Sequence, residues 1–206
     1  MREFSENVKH LENQMQMTKN SRVNASHRLN SNGSFSEFIN VYYSVFTVTL
    51  SIFAIFLKNT EFGDILSISA TILSIALTIS ITYANSIKFK EKAQKSKDSF
   101  ARIQKLQYQL SNIQNNDIET LQNIETEYSK ILNEYDLHIP YDFKSYALEN
   151  HIILDNKEEK KIKIECALHK AWTDLVRIVL VLFPFIFVWI SYIIENYDSP
   201  ISKIIF

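Results

Sequence analysis

Polar segments alternate along this chain with three long apolar runs, Ile39–Leu57 (19 residues), Ile65–Ala84 (20) and Leu175–Ile194 (20). A hydrocarbon core about 30 Å thick takes roughly 20 apolar residues of helix to cross, and each run meets that length. The first two contain no charged residue, and the third contains only Arg177, near its start. Three transmembrane helices are predicted. The local alternation Leu66-Ser67-Ile68-Ser69 in the second run has the period of a strand. A lone strand cannot satisfy its backbone in lipid, so the run is read as helix.

The polar segments also carry helical periodicity. Phe4, Val8, Leu11 and Met15 recur at i, i+4, i+7 and i+11, and the same face continues through Thr18, Arg22, Ala25 and Leu29. Asn30–Ser34, which includes Gly33, reads as a break, and Ser34-Phe35-Ser36-Glu37 reads as a capping box opening the next helix. The link Lys58–Asp64, with Gly63, joins the first two runs as a tight antiparallel hairpin. Ile103, Leu106, Leu110 and Ile113 follow 3-4 spacing, as do Leu121, Ile124, Tyr128, Ile131 and Tyr135. They predict two long antiparallel helices, of coiled-coil type, on either side of the turn residues Asn115-Asn116-Asp117. Asp136–Phe143, with Pro140, is expected to end the second of these. The charged run Lys157 to Trp172 is expected to feed straight into the third apolar run as one helix, which Pro184 kinks unless neighbouring groups satisfy the freed carbonyl.

Composition supports an all-α membrane protein. Two glycines and three prolines are too few for the turns of an all-β chain. A transmembrane barrel would show segments of about ten residues with alternating polarity. The mean hydropathy of −0.09 resembles a soluble protein's only because the rest of the chain is so polar. A net charge of −1 gives no global attraction to nucleic acid, and no direct nucleic-acid binding is expected. Lys88, Lys90, Lys92, Lys95, Lys97 and Arg102 follow the second run, and Lys157, Lys160, Lys161, Lys163 and Lys170 precede the third. Only Lys58 lies in the first link, and only Lys203 follows the third run. By the positive-inside bias the N-terminus and residues 85–174 are cytoplasmic, and the first link and C-terminal tail are external. The expected parts are a cytoplasmic amphipathic helix (1–36), a transmembrane hairpin (37–85), a cytoplasmic helical region (86–171), a third span (172–194) and an external tail (195–206). No apolar core lies near the start, so a cleavable signal peptide is not expected.

Two polar stripes stand out in the hairpin. Asn40, Ser44, Thr47 and Ser51 share one face of the first span, and Ser67, Thr71, Ser74 and Thr78 share one face of the second at the same spacing. They either line a wet pathway in an assembly or let the helices pack closely with hydrogen bonds between them. Arg22 falls in the middle of the N-terminal apolar face. It is read either as a fixed ion pair or anion contact, or as a side chain whose head snorkels to water.

Enzymatic patterns are absent: there is no Gly-rich phosphate loop and no nucleophile elbow. Glu165, Cys166 and His169 are close on one helix but lack a second ligand cluster, so no metal or cofactor is expected. His138 and Asp142 straddle Pro140 as loop caps, and the Lys88–Lys97 cluster reads as a juxtamembrane signal that also contacts anionic lipid. Cys166 has no internal partner for a disulfide.

The segment containing Thr18, Arg22, Ala25, Arg28 and Leu29, followed by a transmembrane hairpin and a helical region, resembles the SLATT domain family of two-transmembrane effectors (SMODS and SLOG-associating). The stretch Tyr128…His138…Asp142 is similar to that family's Tyr…Asn-His…Asp, with Leu137 where Asn is expected. The resemblance covers residues 8–145, and the third run departs from the two-span pattern. It implies a homo-oligomeric effector of the bacterial inner membrane that compromises the envelope when a companion sensor encoded nearby detects phage. The companion is a reverse transcriptase or a nucleotide synthase, and the subtype looks more like the reverse-transcriptase-associated one. The competing class is a membrane-anchored helical adaptor that recruits a protein without forming a pore. A small transporter fits less well, because broken spans and midplane charges are missing.

Overall fold

Helix α1 (Arg2–Phe56) runs unbroken for 55 residues, from the polar N-terminal face through the first apolar run. The computed structural model describes residues 2–114, 117–134, 139–150 and 156–196. Among them follow α2 (Glu61–Ile87), α3 (Phe89–Ser111), α4 (Ile118–Glu134), α5 (Pro140–Glu149) and α6 (Asn156–Asn196). The break expected at Asn30–Ser34 does not occur, so Ser34 and Glu37 have no helix start to cap. Gly33 is buried inside α1 with an ordinary helical φ. A mid-helix glycine costs only about 0.5–1 kcal/mol, which the long flanking helix absorbs.

The chain divides into two compact units. A bundle unit comprises Met1–Asn32 and Lys88–His169, and a membrane unit comprises Gly33–Ile87 and Lys170–Phe206. In the bundle unit, Ile103, Leu106 and Leu110 of α3 pack against Leu121, Ile124, Tyr128 and Ile131 of α4, as the 3-4 seams require. Leu11 and Met15 of α1 join the same core, with Phe4 and Val8 beside it. The expected two-helix seam is thus a three-helix one. Asp117 Oδ1 accepts the Thr120 N–H (3.0 Å) and starts α4. Tyr135, Asp136, Leu137 and His138, like Asn115 and Asn116, lie outside the described residues. Pro140 does more than end a helix, because it opens α5 as the first-turn proline. Asp142 Oδ2 accepts the Ile139 N–H at the same end (3.0 Å).

In the membrane unit, α1 and α2 pack through Leu50, Leu66, Ala70 and Leu73. Val41, Val45, Val48 and Ile52 of α1 and Ile68, Ile72, Ile75 and Ile79 of α2 are exposed, as are Ile178, Leu182, Phe185 and Trp189 of α6. Apolar side chains facing outward on three helices long enough to cross a membrane are what lipid demands. Only residues 57–60 separate α1 from α2, fewer than the seven expected, because Glu61–Asp64 are already helical. Thr60 Oγ1 donates to Leu57 O (2.8 Å) and accepts from Gly63 N–H (3.1 Å).

α6 forms one 41-residue helix, as expected, with Pro184 inside and fully buried. Proline at 184 deprives the Leu180 carbonyl of its i+4 donor. The Tyr43 hydroxyl donates to Leu180 O (2.8 Å), and the Tyr42 hydroxyl donates to Val181 O (2.9 Å). Two adjacent tyrosines of α1 therefore provide the satisfaction that Pro184 requires. Tyr43→Phe is expected to lower stability by about 0.6–2 kcal/mol. The loss should shrink in a Pro184→Ala background, where the restored N–H bonds Leu180, and a double-mutant cycle of thermal unfolding in detergent reads that coupling.

Between α2 and α3, Lys88 adopts the left-handed conformation (φ 54°, ψ 47°). A side chain with a Cβ pays roughly 1–2 kcal/mol there. Lys88→Gly is accordingly expected to raise the melting temperature, read by thermal unfolding in detergent. A lowered melting temperature would mean that the entropy glycine adds to the unfolded chain outweighs the relief at this position.

Candidate functional site

The bundle unit gathers the motif residues of the two ends of the sequence. Arg28 grips Asp142 bidentately, Nε to Oδ1 at 2.9 Å and Nη2 to Oδ2 at 3.0 Å. Asp142 is 0% exposed and Arg28 21%. The pair ties the N-terminal helix to the start of α5, and Asn24 Nδ2 adds a bond to Asp142 O (3.4 Å). Nearly three helical turns earlier on α1, Thr18 Oγ1 and the Tyr128 hydroxyl are 2.7 Å apart, and Tyr128 also donates to Gln14 O (3.3 Å). Burial pushes the Tyr128 hydroxyl above the usual tyrosine range, while the Thr18 bond and the Arg22 charge pull it back.

Arg22 is buried completely, which overturns the snorkelling alternative. Arg28, six residues further along α1, makes the bidentate pair with Asp142. Small side chains on α3 make room beside Arg22: Ser96 Oγ donates to the Arg22 carbonyl (2.8 Å), and Ser99 is also fully buried. Ser26 Oγ donates to Ala93 O (3.3 Å). Ala25 and Leu29 are buried in the same region. Ser96 and Ser99 were missed by sequence reasoning, although they extend the Ile103/Leu106/Leu110 seam backward at 3-4 spacing. His138 lies outside the described residues.

The possible metal ligands on α6 are engaged otherwise. Lys144 Nζ donates to Glu165 Oε2 (2.5 Å), which holds the carboxyl below and the ammonium above its usual range. His169 packs on the Tyr141 ring (4.4 Å between centroids). Burial pushes the Cys166 thiol up, away from the thiolate form, while the Lys144 charge pulls it back.

In the membrane unit the two polar stripes lie one residue round from the Leu50/Leu66/Ala70/Leu73 seam, between it and the lipid-facing Val and Ile rows. Thr47 and Ser51 of α1 and Ser67, Thr71 and Ser74 of α2 line one open groove of about 740 Å³, with Lys58 and Asp64 at its end. Ser44, Ser51, Thr71 and Thr78 donate to the carbonyls of Asn40, Thr47, Ser67 and Ser74, four residues back on their own helices. Asn40 Oδ1 and Thr47 Oγ1 have no partner within the described residues.

The family model described as SMODS and SLOG-associating 2TM effector domain family 5 matches residues 4–191. The chain belongs to this family. The match runs well past residue 145, so the third apolar helix through Ser191 lies within the effector domain and is not an appendage to it. No curated protein and no solved structure matches the chain. In this effector domain, then, the motif residues Thr18, Arg28, Tyr128 and Asp142 build the buried polar core of the bundle unit, and the hydroxyl-bearing residues flank the hairpin seam of the membrane unit.

Proposed function

We propose that this chain is a homo-oligomeric effector that permeabilises the bacterial inner membrane in antiphage defence when a companion sensor is triggered. The observation that carries this reading is that Thr47 and Ser51 of one stripe and Ser67, Thr71 and Ser74 of the other line a single groove of the hairpin, while Asn40, Ser44 and Thr78 lie outside it. In a lipid-facing monomer the bonded hydroxyls of the groove reach only carbonyls of their own helix, whereas in an assembly the row offers water or ions a polar wall. Family membership supports an effector role. The Lys/Arg bias supports a cytoplasmic bundle unit, where a soluble sensor encoded nearby, a reverse transcriptase or a nucleotide synthase, reaches it.

A voltage-sensitive dye during induced expression in a bacterial host, with the genomic neighbours present and phage added, tests the proposal. Wild type is expected to depolarise the cells, and a variant with Ser44, Thr47, Ser74 and Thr78 all replaced by Ala is expected not to, at equal membrane levels. Depolarisation by both would remove the stripe from the pathway. Polarised cells with wild type would favour the adaptor reading, for which there is one specific support: the back-bonded hydroxyls are already tolerable in lipid without any pore.

A further inference from the structure

We infer that the α1–α2 groove is the seat of a second copy of this chain, two hairpins meeting groove to groove about a two-fold axis with Lys58 of each facing Asp64 of the other. The inference deepens the oligomeric reading above and rests on it.

Three observations converge on this face. Lys58 and Asp64 are opposite charges that both line the groove and both are exposed, with no ion pair between them or to any other described residue. A two-fold axis along the membrane normal brings Lys58 of one copy to Asp64 of the next and, by symmetry, Asp64 to Lys58, so both charges are matched at once. Small residues repeat at four-residue spacing on the walls, Ser67 with Thr71 and Ala70 with Ser74 on α2, and Thr47 with Ser51 on α1. This is the spacing that lets transmembrane helices approach closely. Finally, Thr47 is among the residues lining the groove, and its Oγ1 is buried with no hydrogen-bond partner among the described residues. A lipid tail supplies neither the charges nor the donors, whereas an identical hairpin supplies both. Four helices would then surround the axis with their hydroxyl rows turned inward.

The test uses the full chain in native bacterial membranes, in a Cys166→Ala background. Lys58→Cys and Asp64→Cys are made in separately tagged chains, co-expressed and oxidised. The expected result is a covalent dimer joining the two tags, several-fold more abundant than either same-tag dimer. Same-tag dimers in excess, or no dimer while wild type counts as an oligomer by photobleaching steps, would overturn this seat and leave the oligomeric reading standing. Monomeric wild type in the presence of its genomic neighbours and phage would overturn both. A second readout needs no disulfide. Lys58→Asp and Asp64→Lys chains expressed separately should assemble less than wild type, and together they should recover, because each supplies the charge the other lacks. Equal assembly of the single variants and the mixture would count against the pairing.

Discussion

Arg28→Ala is expected to destabilise the bundle unit by about 3–5 kcal/mol, the usual cost of stripping the partner from a buried charge. Asp142 is 0% exposed and its carboxylate would keep only the Ile139 N–H. The reverse change should cost less, because Arg28 is 21% exposed and its head can turn to water. Asp142→Asn retains an acceptor for Ile139 and should be milder still. Arg28→Lys keeps the charge but loses the fork that meets both carboxylate oxygens, so it should fall between Arg28→Ala and wild type. Denaturant unfolding of the detergent-solubilised chain gives the order of these variants. Hydrogen exchange across α5 should show that protection is lost there first, since the pair is what fastens that helix to α1. An Arg28→Ala chain as stable as wild type would mean that Asp142 finds water once its partner is gone.

Gly63→Ala is the second change with a large expected effect, and its sign runs against propensity. Gly63 sits in the first turn of α2 with an ordinary helical φ, where alanine is normally favoured by about 1 kcal/mol. An added Cβ would overlap the Leu57 carbonyl oxygen and come within 2.7 Å of its carbon. Backbone cannot swing aside as a side chain tip does, so the hairpin link must open. The expected loss is about 1–3 kcal/mol or more, the range for overpacking a closed site. Thermal unfolding in detergent should register the loss, and Gly63→Val should be worse than Gly63→Ala.

How much of this was legible in the sequence differs from element to element. The three spans were plain because lipid imposes length and polarity on a helix, and both are counted directly along the chain. The α3–α4 seam was equally plain, since 3-4 spacing of Ile and Leu has one common structural meaning. Gly33 misled because a local breaker was weighed without the 55-residue helix that carries it. Pro140 misled in part for a related reason, as the same residue ends one helix and begins another. Arg28 and Asp142 were both visible as motif residues, but their pairing was not, because a contact across 114 positions leaves no periodicity to read. The tyrosine pair that completes the backbone around Pro184 was invisible for the same reason. The need for satisfaction could be stated from Pro184 alone, while the groups that meet it lie on a different helix.

The Arg28–Asp142 pair also sets an order of events during synthesis. Translation at about 5–20 residues per second puts on the order of ten seconds between the two partners. Both apolar runs of the hairpin, residues 39–57 and 65–84, are made within that interval. The N-terminal helix must therefore wait with Arg28 unmatched while the first two spans emerge, and it closes on α5 only afterwards. The third run comes after both partners, so the residues of the clasp and two of the three spans are in the chain before the last span is begun.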